Sequence, residues 1–355
     1  MSRRANPQIV TLLREFRKMT QQELAEAVGY KQYDISRIEH GTVELTEDDI
    51  PRFANALGFL PSFFLRDFDR HRVPITLYRA KNMSQTDAKA LIAQHHIQSM
   101  TLGGLLLAVK PVEKRFRQVD LEDYRGSVEA ASRDLRIHWG VPDGPVEDVT
   151  SLIEAAGILI MPTYFESEQI AGMSVYLDET QPVIFVSDSL PADRYRWTLC
   201  HELAHVLFHL HLFLPGTVRD FDDEADRFAA AFLMPAKDIR HQLAKPVTLE
   251  KLGHLKRRWK VAMSALAWRA MDLGQISRVT RDNLFRRMNM LGMMRDEPNK
   301  FPREEPQRFK LLVEFHLDEL RYSIEDLQEV VGMPVDTIRH YYPGVLKAPA
   351  LRLVK

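Results

Sequence analysis

The sequence has only one cysteine, Cys200, in 355 residues, and it has no strong excess of charge of either sign. A single thiol excludes an intramolecular disulfide and favours a reducing compartment. Because the formal net charge is −1, the chain as a whole does not attract polyanions. Any contact with nucleic acid must therefore come from a local surface.

Long apolar runs are also missing. The longest, residues 103–109, is far too short to span a bilayer, and the basic N-terminus lacks the apolar stretch of a signal peptide. These absences predict a cytoplasmic protein without membrane contact. An apolar content of 45% is ordinary for globular proteins, and the length allows two or three domains.

Hydrophobic periodicity divides the chain into four regions. Residues 1–70 contain five short helical patterns, which predict a five-helix domain, and residues 71–140 predict a helical linker region. Residues 141–245 predict a small α+β domain, and residues 246–355 a helical C-terminal region. The strand candidates in the α+β domain are 158–161, 173–177 and 182–186. The predicted fold class is therefore mainly α with a small α+β part.

The first region carries the features of a helix-turn-helix. Thr20 and Glu23 have the spacing of a capping box, and Gly29 supplies the bend between helices predicted at 21–28 and 32–39. The apolar residues of the second helix recur on one side, so its polar start points outward, as a helix that enters the major groove requires. The candidate DNA-contacting residues are Gln21, Gln22, Lys31, Gln32, Tyr33, Asp34, Ser36 and Arg37.

The stretch TQQELAEAVGYKQYDISRIEHG resembles the helix-turn-helix of the phage-repressor (Cro/XRE) family. The resemblance implies binding of operator DNA through residues 20–40. Docking of another protein stays open as an alternative, because residues 1–42 hold seven basic against five acidic side chains and the acidic residues 47–49 follow.

The pentapeptide HELAH, residues 201–205, lies in a strongly helical stretch. Since residues four apart share a helix face, His201 and His205 can bind one metal ion. Glu202 is turned by about 100° from His201 and lies beside that ion. There it can accept a proton from water and return it to a leaving amine. A histidine-rich structural helix is the alternative, because His209 and His211 follow.

A third protein ligand is expected on the next helix. Glu224 follows His205 by 19 residues, in a helix whose apolar positions face the first one, so its carboxylate would face the histidines. Three protein ligands leave one position on zinc open for catalysis. Asp222 and Asp223 are alternative ligands. The identity of the residue that orients the histidines is left open, and Asp223 and Asp226 are the candidates.

Three segments resemble the ImmA/IrrE family of zinc peptidases: DRYRWTLCHELAHVLFH, EADRFAAAFLMP and LKRRWKVAMSALAWRAMDLG. In that family the second segment usually reads E-x-x-A-[ND]-x-F-A-A. The resemblance covers about residues 140–295 and implies a zincin-like fold. It also implies zinc (Zn2+) bound by His201, His205 and Glu224, with Glu202 as general base. Members of the family cleave helix-turn-helix repressors, and this cleavage allows expression of phage, mobile-element or stress genes.

Taken together, these features predict a DNA-binding regulator fused to a zinc-dependent endopeptidase that cleaves a partner repressor protein. An extended substrate segment is expected along an edge strand such as 173–177. In one alternative, the peptidase-like domain of a transcriptional regulator is a non-catalytic sensor. In another, the chain is an antitoxin that uses this domain as a protein-binding surface. A homodimer is left open.

Basic residues recur in the C-terminal third. Lys256, Arg257 and Arg258, and further along Arg281, Arg286 and Arg287, would suit phosphates, although a solvated helix face is the favoured interpretation. Residues 249–273 have a helix-turn-helix-like pattern, and the segment 322–343 has a similar one. For that segment, packing or oligomer contact is the favoured role.

Overall fold

The structure is a computed structural model that describes residues 4–68, 84–110, 113–165, 170–177, 181–210, 219–294 and 296–346. The chain forms two compact units. The terminal unit comprises Met1–Pro111 and Phe309–Lys355, and the central unit comprises Val112–Arg308. These units do not coincide with the four predicted regions, because the last helices join the N-terminal part. None of the described helices is both long and apolar enough to cross a membrane.

The terminal unit begins with the expected short helices. These are α1 (Pro7–Phe16), α2 (Gln21–Val28), α3 (Gln32–Glu39) and α4 (Ile50–Leu57), followed by a 3₁₀-helical turn, Pro61–Leu65, at the position of the fifth predicted helix. The capping box forms: the Thr20 hydroxyl accepts from the Glu23 N–H, and the Glu23 carboxylate accepts from the Thr20 N–H. Gly29 then ends α2 with a φ of 72°, a conformation that glycine adopts without steric cost.

Helices from the two ends of the chain complete this unit together. They are α5 (Gln85–Leu106), α14 (Arg308–Glu314, continued by a π-helical turn Phe315–Glu319), α15 (Ile324–Val331) and α16 (Val335–Tyr341). The Leu60 N–H donates to the Gly332 carbonyl at 3.0 Å, and Arg66 donates to the Val330 carbonyl at 2.6 Å. The segment 322–343 therefore packs within its own chain.

The central unit is mostly helical around a small sheet. Its elements are α6 (Val128–His138), α7 (Val149–Ala155), β1 (Leu159–Thr163), β2 (Gly172–Leu177), β3 (Gln181–Ser187), α8 (Ala192–Ala204), α9 (Phe221–Leu233), α10 (Ala236–Ile239), α11 (Leu249–Trp259), α12 (Met263–Asp272) and α13 (Arg278–Met290). β3 lies in the middle of the sheet, parallel to β1 and antiparallel to β2. Among the described strands β2 is thus an edge strand.

Apolar packing places the end of α8 beside the start of α9. Leu199 and Leu203 of α8 and Phe228 and Phe232 of α9 are fully buried in one core. Each such side chain contributes roughly 1.5–3 kcal/mol by leaving water. Because the two helices pack side by side, polar residues at their adjoining ends are brought together.

A polar segment that contains prolines is held to the central unit by charged contacts. We call residues 296–307 the strap. Glu304 accepts from both the N–H and the hydroxyl of Thr150, each at 2.9 Å, and it pairs with the buried Arg196. The strap is therefore part of the folded unit.

Two of the basic residues considered for phosphate contact are buried and contact other side chains of the chain. Lys256 is buried and its ammonium lies 2.8 Å from Glu297. Arg281 is also buried, with its guanidinium 3.8 Å from the centre of the Trp268 ring. Since neither charge is presented to solvent, these two side chains do not form a phosphate-binding face.

Candidate metal centre

The candidate metal centre lies where α8 ends and α9 begins. His201 and Glu202 belong to the last turn of α8, and Asp222 to the first turn of α9. Beyond α8 the chain widens into a π-helical turn, His205–His209. Turns of this kind are rare and occur frequently at functional sites.

Three side-chain atoms converge here: Nε2 of His201, Nε2 of His205 and Oδ1 of Asp222. The two nitrogens lie 3.1 Å apart, and the oxygen lies 3.7 Å from the first and 3.6 Å from the second. In a tetrahedral zinc site with bonds of about 2.0–2.1 Å, two ligand atoms lie about 3.3 Å apart. The spacing of these atoms therefore fits three ligands of one tetrahedral ion.

The environment of Asp222 supports the same assignment. Its Oδ1 is buried and accepts no hydrogen bond within the described part of the chain. The facing imidazoles of His201 and then His205 hold the pKa of Asp222 far below its usual range, against the effect of burial. An anionic oxygen that is buried without a hydrogen bond is costly, and a cation removes that cost. The donor set thus suits a divalent metal ion.

Each histidine is also contacted at its second ring nitrogen. Nδ1 of His201 lies 2.8 Å from Oδ1 of Asp226, the arrangement in which a carboxylate orients a metal-ligating histidine. Nδ1 of His205 lies 2.9 Å from Nδ1 of His209. Of the two orienting candidates from the sequence, the structure brings Asp226 to His201, whereas the carboxylate of Asp223 lies 3.6 Å from the guanidinium of Arg227.

Glu224, the predicted third ligand, is not brought to the histidine pair. Its carboxylate lies 3.1 Å from Nε2 of His209 and accepts two hydrogen bonds from Arg219, at 3.0 and 2.8 Å. Burial raises the pKa of Glu224, but the hydrogen bonds with His209 and Arg219 bring it down to about 2. Asp222 occupies the place that was expected for Glu224.

Glu202, the residue after His201 on α8, contacts the edge strand β2. It is only 3% exposed, and the Ser174 hydroxyl donates to its Oε2 at 2.9 Å. Gly172 permits this approach, since a Cβ there would lie 2.7 Å from Cγ2 of Thr198 and 3.0 Å from Cγ of Glu202. A carboxylate held in this way next to a metal site is placed for proton transfer.

Models of known protein families match a segment in each of the two units. Residues 153–271 match the family model described as the IrrE N-terminal-like domain, and residues 9–62 match the one described as a helix-turn-helix domain. The chain joins a helix-turn-helix domain to an IrrE N-terminal-like domain. The IrrE-like domain is metallopeptidase-like, and the helix-turn-helix domain implies DNA binding. No curated protein matches the chain.

Asp222, which the sequence interpretation gave only as an alternative to Glu224, had a signal within the IrrE-like domain. In the pattern E-x-x-A-[ND]-x-F-A-A, the first carboxylate stands three residues before the alanine that corresponds to Ala225, which is the position of Asp222. Helix geometry points the same way, because Asp222 and Asp226 are four apart and share one face of α9. Glu224 is two residues from either of them and faces elsewhere.

The helix-turn-helix domain presents most of its predicted contact residues. Gln22, Lys31, Gln32, Tyr33 and Arg37 are exposed, and Gln21, Asp34 and Ser36 are half-buried. The Gln21 amide donates to Glu39 at 2.8 Å, and the Arg37 guanidinium lies 5.4 Å from the centre of the Tyr33 ring. His211, considered above as a further histidine of the metal helix, lies outside the described residues.

Proposed function

We propose that the chain is a DNA-binding regulator whose IrrE-like domain is a zinc-dependent endopeptidase that cleaves a partner helix-turn-helix repressor. The observation that carries the proposal is the spacing of His201, His205 and Asp222, which fits one tetrahedral ion beside the buried Glu202. The resemblance to the ImmA/IrrE family supplies the substrate class.

In this proposal each residue has a defined task. Zinc bound by the three ligands would activate water and polarise the peptide carbonyl. Asp226 holds the ring of His201 so that Nε2 faces the ligand cluster. Glu202 would take a proton from the attacking water and give it to the leaving nitrogen. The hydroxyl of Ser174 keeps that carboxylate in place through its hydrogen bond to Oε2.

The edge strand β2 is the proposed binding site for an extended substrate segment. β3 pairs with one side of β2, and no described strand pairs with the other side. An incoming peptide can add to such an edge through main-chain hydrogen bonds. Since Gly172 and Ser174 both contact Glu202, a peptide on this edge would run close to the general base.

For the helix-turn-helix domain, the proposal is binding of operator DNA by α2 and α3. The exposed Lys31, Gln32, Tyr33 and Arg37 lie at or near the start of α3, the part of a recognition helix that reaches base edges. Binding of DNA by these residues is independent of the metal centre in this proposal. A variant without peptidase activity would therefore still bind its operator.

The test compares wild type with Glu202→Gln, each incubated with the repressor encoded beside its gene, with and without added zinc. We expect zinc-loaded wild type to cut the repressor at a defined bond, as read by intact mass. Glu202→Gln should bind zinc and DNA normally but cleave slower by about 10²–10⁴-fold, because it lacks the base.

Two results would count against this proposal in different ways. Wild type purified without chelator and carrying no stoichiometric metal would overturn the metal centre. Wild type that binds zinc and DNA but leaves every tested repressor intact would overturn the peptidase and favour a non-catalytic sensor.

A further inference from the structure

We propose that His209, Glu224 and Arg219 form a hydrogen-bonded relay that positions the ligand His205 through its Nδ1 nitrogen. This proposal rests on the metal centre proposed above. Nδ1 of His205 lies 2.9 Å from Nδ1 of His209, and Nε2 of His209 lies 3.1 Å from Oε2 of Glu224. Arg219 donates to both oxygens of that carboxylate, at 3.0 and 2.8 Å. His209 is thus a positioning residue and not a ligand.

The proton positions along the relay follow from its ends. Since Nε2 of His205 faces the ligand cluster, a metal ion there leaves the ring proton on Nδ1. Nδ1 of His209 must then accept that hydrogen bond, and a neutral His209 carries its own proton on Nε2. This proton faces Glu224, which can only accept. The two bonds that link His205 to Glu224 therefore run in one direction, from the ligand toward the carboxylate.

Burial makes the relay stiff. His209 is 0% exposed, and its ring centre lies 4.6 Å from that of Phe221 and 4.9 Å from that of His205. Hydrogen bonds in such surroundings do not compete with water and are stronger than exposed ones. The two ligands are thus held differently, because the carboxylate that contacts His201, Asp226, has a side chain that is 57% exposed.

The far end of the relay is anchored on a separate segment. Arg219 also donates to Oδ1 of Asp120 at 3.1 Å, and the neighbouring Val119 donates its N–H to the carbonyl of Leu207 at 3.0 Å. Leu207 lies within the π-helical turn that carries both His205 and His209. The segment that contacts Arg219 is therefore hydrogen-bonded to the turn that carries His205 and His209. This connection fixes the position of Glu224.

The test measures zinc affinity of the full chain by competition with a chromophoric chelator, together with the visible absorption of the cobalt-loaded protein. We expect His209→Leu to weaken zinc binding by about 10–100-fold, as loss of a group that orients a ligating histidine does. His209→Gln should recover most of this loss, because its amide can accept from His205 and donate to Glu224. The cobalt absorption should change for His209→Leu and stay close to wild type for His209→Gln.

Further variants separate positioning from folding. His254→Leu, at an exposed histidine on α11, is the matched control and should bind zinc like wild type. If His209→Leu does not fold, Glu224→Ala tests the same relay at its carboxylate and should weaken zinc binding by about 10-fold, the lower end of the range above.

The outcomes are distinct from those of the peptidase test. Equal zinc affinity in wild type, His209→Leu and Glu224→Ala would overturn the relay and leave the peptidase proposal standing. The expected losses of affinity, found in a protein that cuts no repressor, would support the relay while the peptidase fails. Wild type without zinc affinity would overturn both.

Discussion

Three consecutive acidic residues at the start of α9 have three different environments. Asp222 faces the histidines, Asp223 points to solvent with 62% of its side chain exposed, and Glu224 contacts His209 and Arg219. The reason is helix geometry, since successive residues are turned by about 100°. The rotation of α9 about its axis therefore decides which of these carboxylates faces the two histidines.

This arrangement makes a prediction at the residue scale. Asp222→Ala should remove a metal ligand, so stoichiometric zinc binding should be lost or weakened by at least about 10-fold. Asp223→Ala, the adjacent and exposed change, is the matched control and should bind zinc like wild type. Equilibrium dialysis with metal analysis measures both. Equal zinc binding in the two variants would show that Asp222 is not a ligand.

The same residues show what local sequence can and cannot predict. His201 and Glu202 lie in the last turn of α8, and His205 begins the π-helical turn that continues it, so their mutual geometry follows from local helical spacing. The choice between Asp222 and Glu224 depends on how α9 is rotated against α8, and packing between the helices sets this rotation. The contact of Glu202 with Ser174 also joins distant positions and has no local pattern.

At the scale of elements, the helical pattern of the sequence does not show where the chain turns without an apolar break. Residues 247–273 have one continuous helical pattern, but Lys260, whose φ is 52°, divides them into α11 and α12. Residues 307–331 also have a continuous helical pattern, which is divided by the turn before α15, where Ser323 and Asp326 form a capping box. Apolar periodicity continues across both turns and hides them.

The strap is the element that sequence composition describes least well. Its prolines and charges are typical of a solvated loop. In the structure Glu297 accepts from the N–H groups of Met263 and Ser264, at 2.7 and 3.3 Å, at the start of α12. That helix has no side-chain cap of its own from Ala262. A remote carboxylate thus caps it, which no local signature could predict.

A prediction for the strap concerns its buried charge. Glu304→Gln should lower the free energy of unfolding of the central unit by about 3 kcal/mol, because it leaves the charge of the buried Arg196 without its partner. The neighbouring Glu305 has a side chain that is 60% exposed, and Glu305→Gln should change the free energy of unfolding by less than about 0.5 kcal/mol. Urea unfolding measures both. Equal stabilities would mean that the pair with Arg196 contributes nothing.

At the scale of the whole molecule, the terminal unit is built from both ends of the chain. Thr101 on α5 donates to the carbonyl of Val331 at 3.3 Å, and the rings of Phe16 and Tyr341 lie 5.1 Å apart. Sequence order predicted separate N-terminal and C-terminal regions, because contacts between segments over 200 residues apart leave no local pattern. The central unit is an insertion in the terminal one.

Because the central unit is inserted in the terminal one, shortening the chain at its C-terminal end should affect the stability of the terminal unit but not zinc binding by the central unit. A chain that ends at residue 308 should lose the packing of α15 and α16, and the melting temperature of its terminal unit should fall by about 10 °C or more. Its zinc affinity should be unchanged, since the central unit is intact. Calorimetry and zinc titration measure the two properties, and a parallel loss of both would contradict the division.

This topology also determines the order in which the two units can fold during synthesis. A ribosome completes the central unit, with its histidines and carboxylates, before it has made α15 and α16. The candidate metal centre can therefore form while the terminal unit still lacks its last helices. Full assembly around the helix-turn-helix comes last, so a prematurely terminated chain would keep the peptidase-like half and lack a complete DNA-binding half.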